Sequence, residues 1–191
     1  MNTLQVMEFI AVVSGIIHVF LLTREKIIAW PFGILTVSLY IYIFAESKLY
    51  SDVILHVVYV VLNIFGWWNW ARRGAGTIHV PITRLSKQEI GAWAGLILVG
   101  FVAWGYVMGA NTDASYPYGD AFTTVASLIA QFLLARKKIE NWLIWIIVDV
   151  VAIAIYALKG LYLTTGLYAV YLLLSTKGFL DWRRTMRTAQ G

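Results

Sequence analysis

The sequence predicts an all-α integral membrane protein. Seven transmembrane helices are expected, arranged as two parallel three-helix repeats joined by a linker helix. Three observations predict this: the size of the apolar fraction, the placement of the basic residues, and an internal repeat. The 191 residues are 60% hydrophobic and only 13% charged, with a mean hydropathy of +0.74. Soluble domains are about 45–50% apolar and about 25% charged. A chain of this size leaves roughly 30% of its surface exposed on folding, so the apolar excess must face lipid. With no cysteine, disulfides and thiolate metal sites are excluded.

A spanning helix needs about 20 mostly apolar residues. Seven such stretches stand at roughly 5–23, 27–45, 52–71, 90–109, 120–135, 141–158 and 161–180. Brief turns such as Arg24-Glu25-Lys26 and Arg136-Lys137-Lys138 separate them, and the longest connection, about 72–89, holds Gly74, Gly76 and Pro81. No Lys or Arg precedes the first apolar run, so this run is expected to stay as helix one rather than act as a cleaved signal.

Thirteen of the 15 basic residues fall on one side of this arrangement: Arg24 and Lys26, then Arg72, Arg73, Arg84 and Lys87, then Arg136–Lys138, and finally Lys177, Arg183, Arg184 and Arg187. Lys48 and Lys159 fall on the other, with Asp113 and Asp120. Short basic loops stay cytoplasmic, so the C-terminus is expected inside and the N-terminus outside. The net charge of +5 is thereby an orientation signal, and nucleic-acid binding drops out.

Shifted by 112 residues, segment 8–72 overlays 120–184 without a gap, with roughly 20 of 65 positions identical. The informative matches are Arg24/Arg136, Lys26/Lys138, Trp30/Trp142, Leu49-Tyr50/Leu161-Tyr162, Tyr59/Tyr171, Gly66/Gly178, Trp70/Trp182 and Arg72/Arg184. The shift spans four helices, an even number, so both copies enter the membrane from the same side. One membrane transporter domain is expected, with repeat 1 at about 5–73, the linker at about 90–109 and repeat 2 at about 120–184. Transporters built from repeats bind substrate near the midplane.

Polar side chains within spans are costly and mark functional positions. Asn141, Trp145 and Asp149 share one helical face at i, i+4 and i+8. His56, Tyr59, Asn63, Trp67 and Trp70 form a similar stripe on helix three, and Gln131 lies within helix five. Residues that read an asymmetric ligand should break the repeat. Asn141, Trp145 and Asp149 oppose Ala29, Gly33 and Val37; Asn63 and Trp67 oppose Ser175 and Phe179; Gln131 opposes Val19. Bland readings stand beside these. Trp70 and Trp182 directly precede basic segments, so an interfacial aromatic belt accounts for them, and Trp142 could belong to it. Asn63 or Gln131 could serve only helix–helix hydrogen bonds. His18 and His56 read as packed or interfacial. Gly91/Gly95 and Gly105/Gly109 permit close helix packing. Tryptophans around one carboxylate favour a flat or cationic aromatic ligand, with Asn and Gln as directional partners.

The stretch Arg136-Lys137-Lys138-Ile139-Glu140-Asn141-Trp142-Leu143-Ile144-Trp145 followed by Asp149 resembles the nicotinamide riboside transporter (PnuC) family. So do Lys48-Leu49-Tyr50-Ser51-Asp52, Gly66-Trp67-Trp68-Asn69-Trp70 and Gly160-Leu161-Tyr162. The resemblance covers nearly the whole chain. It implies a SWEET-like parallel arrangement, a homotrimer in the bacterial cytoplasmic membrane, and facilitated diffusion of nicotinamide riboside, which a cytoplasmic kinase then traps by phosphorylation. The substrate-binding set it implies, with the symmetry-breaking residues added, is Asn63, Trp67, Trp70, Gln131, Asn141, Trp142, Trp145 and Asp149. One departure is Thr36, where relatives often carry Asn. Alternatives within the family are carriers of thiamine, riboflavin or deoxynucleosides, and a proton-coupled carrier using Asp149. No cofactor is expected. An intramembrane enzyme lacks support, because His18, His56 and His79 are scattered and no HExxH occurs. A retinal protein would need a lysine deep in the last helix, and a channel a filter-like segment; neither is present.

Overall fold

In a computed structural model of the chain, residues 3–46, 50–74, 81–112 and 115–188 are described. Lys48, Leu49, Gly76, His79 and Asp113 lie outside them. The described residues form seven helices and no strand beyond one isolated bridge: α1 (Thr3–Thr23), α2 (Ala29–Glu46), α3 (Tyr50–Gly74), α4 (Lys87–Asn111), α5 (Pro117–Ala135), α6 (Glu140–Leu158) and α7 (Tyr162–Thr188). Six of them, α1 to α6, are long and apolar enough to cross a membrane. At 27 residues and about 1.5 Å per residue, α7 is also long enough, but tyrosines, threonines and Lys177 dilute its apolar run. It continues two turns past the expected end, through Arg183, Arg184 and Arg187.

The chain divides into two compact units, Met1–Pro81 and Ile82–Gly191. In the first, α2 packs against both α1 and α3; in the second, α4 packs on α5, α5 on α6 and α6 on α7. The three helices of each sequence repeat thus fall within one unit, and α4 belongs with the second.

Local structure repeats as the sequence does. The turn after α1 carries Glu25 at φ 54°, and the turn after α5 carries Lys137 at φ 52°. Both are left-handed positions that normally favour glycine. In the first turn Lys26 N–H donates to Leu21 O (3.0 Å) and Glu25 N–H to Leu22 O (3.1 Å); in the second Lys138 N–H donates to Leu133 O and Lys137 N–H to Leu134 O, both 2.9 Å. This is the Schellman cap, which satisfies carbonyls left over at a helix C-terminus. Beyond each turn a tryptophan opens the next helix and meets another ring edge-on. Trp30 meets Trp70 at 5.2 Å and 86°, and Trp142 meets Trp182 at 5.4 Å and 89°. The glycines Gly66 and Gly178 make this possible, since a Cβ at either would strike the facing indole. At the opposite end of each repeat sits an aromatic group: Phe44 joins His56 and Tyr59 of the expected stripe in the first, and Tyr156 joins Tyr168 and Tyr171 in the second. These positions are also 112 apart.

The buried tryptophans correct the belt reading. Trp70 is only 4% exposed, Trp182 0% and Trp142 1%. All three are interior rings, because each closes on an indole of the neighbouring helix rather than on the interface. The linker glycines also divide. Gly105 lies against the ring of Tyr118 on α5, whereas Gly91 and Gly95 have nothing near them in this chain.

The connection before α4 holds a feature the sequence did not announce. Thr83 pairs in parallel with Lys138 on the α5–α6 turn. Its N–H donates to Lys137 O and its carbonyl accepts from Ile139 N–H, both at 3.0 Å. Leu85 N–H then donates to Glu140 Oε2 at 3.0 Å, and Leu85 packs with Ile129 and Leu133. Ser86 and Glu89 form a reciprocal capping box at the start of α4, which fixes where that helix begins.

Candidate functional site

The face of α6 begins at the capped turn. Asn141 is fully buried. Its Nδ2 donates to Lys138 O at 2.6 Å, so the amide is held by the turn itself, while its Oδ1 has no partner. A buried polar atom left without a partner costs about 1–3 kcal/mol. Trp142 Nε1 is also unpartnered, but so is Trp30 Nε1, its counterpart in the other repeat. Packing common to both repeats produces those two. Asn141 Oδ1 has no such counterpart, because position 29 is alanine. One turn on, Trp145 is half-buried. Asp149, another turn along, is buried and accepts from Ser175 Oγ of α7 at 3.0 Å. Gln131 is buried on α5. The expectation of one face for Asn141, Trp145 and Asp149 therefore holds in the geometry, and Val148, Ala152 and Ile155 complete the buried side of the helix.

In the first unit the candidates separate. Asn63 is buried and Nδ2 donates to Tyr59 O at 2.8 Å. Trp70 closes on Trp30. Trp67 is 42% exposed and takes no part in that contact. Gly33 explains Asn63: a Cβ there would collide with Asn63 Oδ1 and with His18 Cε1. His18 in turn donates from Nδ1 to Ala29 O at 2.7 Å. His18 and Asn63, from α1 and α3, thus fill the space over Gly33 of α2. The aligned residues in the second repeat are Ala130, Trp145 and Ser175, with large and small exchanged. The packed reading of His18 is the one the geometry supports. His56 likewise bonds Asp52 O, at 2.9 Å, inside the aromatic group.

Among the described residues no cluster of three or more His, Asp or Glu is placed to hold a metal ion. What the α6 face offers is one unsatisfied amide oxygen, one indole and one carboxylate in a row on a helix inside a hydrophobic body.

A family model described as "Nicotinamide mononucleotide transporter" matches residues 5–184. The chain belongs to that family. It is a multi-pass membrane protein and a transporter rather than an enzyme, in keeping with the motifs. Among relatives of the family, the "Nicotinamide riboside transporter PnuC" of Escherichia coli (strain K12) is 25% identical over 94% of this chain and 86% of its own. The protein of the same name from Neisseria mucosa is 27% identical over 95% and 73%. The "Riboflavin/roseoflavin transporter RibM" of Streptomyces davaonensis is 25% identical over 92% and 83%. A solved structure, "Crystal structure of the Vitamin B3 transporter PnuC", is similar with a TM-score of 0.77 and 26% identity, covering 95% of this chain and 82% of that one.

Proposed function

We propose that this family member carries nicotinamide riboside across the bacterial cytoplasmic membrane by facilitated diffusion with alternating access, and that phosphorylation inside traps the solute. The observation that carries the reading is the asymmetric α6 face, where Asn141 Oδ1 is buried without a partner beside Trp145 and Asp149. The pyridinium ring is cationic and flat. It suits an indole face, where a desolvated cation gains about 2 kcal/mol, and it suits a nearby carboxylate. The ribose hydroxyls suit an amide oxygen that lacks a donor. The same face argues against the phosphorylated mononucleotide as cargo, since a phosphate dianion would stand near Asp149 and the basic residues lie at the helix ends. Relatives named for nicotinamide riboside support this choice. A riboflavin-type cargo is the second reading, favoured by the relative named for riboflavin.

The test is binding of nicotinamide riboside, its mononucleotide, riboflavin and thiamine to the purified protein, with uptake into proteoliposomes. Tight binding of the riboside alone, with uptake that stops at equilibrium, is the expected result. Preference for another ligand overturns the cargo. Accumulation driven by a pH gradient overturns the facilitator and favours a proton-coupled carrier. Asn141→Ala and Trp145→Ala should each weaken binding while the protein remains folded. Asn63→Ala and Trp67→Ala in the same assay decide whether the first repeat contributes. The reading also includes a SWEET-like trimer with seven crossings and the C-terminus inside. Because the chain has no cysteine, single cysteines placed at Thr112 and Thr188 report sidedness directly with a membrane-impermeant reagent.

A further inference from the structure

A cleft of about 360 Å³ opens in the second unit, lined by Ile82, Thr83, Arg84, Arg183, Met186 and Arg187. Three of its six lining residues are arginines. Arg183 and Arg187 stand one turn apart on α7 and so share a face, with Met186 between them. Arg84 comes from the extended segment before α4. That segment is a fixed wall, held through Thr83 to the α5–α6 turn and through Leu85 to Glu140. Lys138 tightens it further by donating from Nζ to Arg84 O at 3.1 Å. The carboxylates of the region are engaged elsewhere: Glu89 with Lys138, Glu140 with Leu85 N–H, and Asp181 with Lys177. None of the three guanidinium groups is ion-paired among the described residues.

Topogenic signalling accounts for arginines on this side of the membrane, but not for their convergence on one cleft. Three like charges lining one cleft repel one another unless an anion lies between them. The repeat makes the same point, because Arg183 aligns with Ala71 and so has no basic counterpart at that position of the first repeat. Guanidinium forks match tetrahedral phosphate oxygens bidentately, Thr83 adds a hydroxyl, and Ile82 and Met186 supply an apolar floor. The cleft also lies where α7 leaves its apolar stretch and turns basic, the kind of position at which clustered Arg and Lys meet anionic headgroups.

We propose that this cleft is a phosphate-group site, formed by Arg84, Arg183 and Arg187 and distinct from the α6 face that reads the transported solute. The phosphate could belong to an anionic phospholipid or to a free phosphorylated solute, and the test separates them. The full-length protein is purified in neutral detergent. Its thermal unfolding is followed with added phosphatidylglycerol, with phosphatidylcholine, and with inorganic phosphate at constant ionic strength. The comparison proteins are Arg183→Gln/Arg187→Gln, Arg84→Gln, and Arg24→Gln as a control from another basic turn. A rise in Tm with phosphatidylglycerol but not with phosphatidylcholine, absent in the double variant and reduced in Arg84→Gln but kept in Arg24→Gln, supports a lipid phosphate. The same pattern with inorganic phosphate supports a soluble one. Equal responses in all four proteins, or none in the unmodified one, overturn the proposal. Native mass spectrometry of retained lipid gives a second readout, expected to fall at least several-fold in the double variant if the phosphate is a lipid's.

Discussion

Replacing Gly178 by alanine tests the buried tryptophan pair that anchors the second repeat. A Cβ at this position would lie 2.6–2.7 Å from three ring atoms of Trp142. Carbon atoms pack at about 3.5–4.0 Å, so either the indole or α7 must move by roughly 1 Å. The ring cannot swing freely, because Trp182 closes on it edge-on at 5.4 Å. Overpacking of this kind costs about 1–3 kcal/mol. Removing a helical glycine returns up to about 1 kcal/mol, and disturbing the ring pair forfeits about 0.5–1.5 kcal/mol. The net expectation is destabilisation by about 1–3 kcal/mol, or a fall in Tm of very roughly 2–10 °C for a chain of this length. Because Asn141 and Trp145 flank Trp142 on the same helix, ligand binding should weaken as well. The assay is thermal unfolding in detergent, paired with a binding titration. Gly166→Ala is the internal control, since nothing lies within 4 Å of its added carbon; it should be neutral or slightly stabilising. Gly66→Ala, which meets Trp30 in the same way, should lose stability too. If Gly178→Ala melts as high as Gly166→Ala, Trp142 is not held as described and the reasoning fails.

Three further outcomes are expected. Ser175→Ala removes the hydroxyl that Asp149 accepts from and should cost about 1–3 kcal/mol; adding Asp149→Val, the residue type at the aligned position 37, should restore most of the stability but not uptake, as thermal unfolding and proteoliposome flux would register. Gly160→Ala, at φ +73°, should cost about 1–2 kcal/mol with unchanged affinity, read by the same pair of assays. Lys159→Ala breaks a partly exposed pair with Asp120 at 3.0 Å, and its effect should stay below about 1 kcal/mol and vanish in high salt.

Much of this is legible in the sequence. Helix number and approximate bounds follow from apolar run length, and the repeat from rare residues such as Trp30/Trp142 and Gly66/Gly178. The α6 face follows from a spacing of four. What stayed hidden has physical causes. A tryptophan before an arginine reads as interfacial, yet whether an indole is sheathed depends on a glycine on another helix, as Gly66 and Gly178 show. The bridge from Thr83 to Lys138 is made by backbone groups, which every sequence possesses. The arginine cleft joins residues about a hundred positions apart, so no local window contains it. The aromatic groups at Phe44 and Tyr156 share one identity at the 112-residue shift, Tyr59/Tyr171, while Phe44/Tyr156 and His56/Tyr168 match only as ring types.

The exchange of bulk between the repeats has a consequence for how such a chain can change over time. His18 and Asn63 occupy the room over Gly33, whereas Trp145 is the large member of the aligned set with Ala130 and Ser175. No single substitution converts one filling into the other: a side chain at position 33 collides before His18 and Asn63 have shrunk, and shrinking them first leaves a void. The two copies of a duplicated segment are therefore locked into different interiors by a barrier of several simultaneous mutations. One half can drift in its interior residues without being pulled back toward its twin.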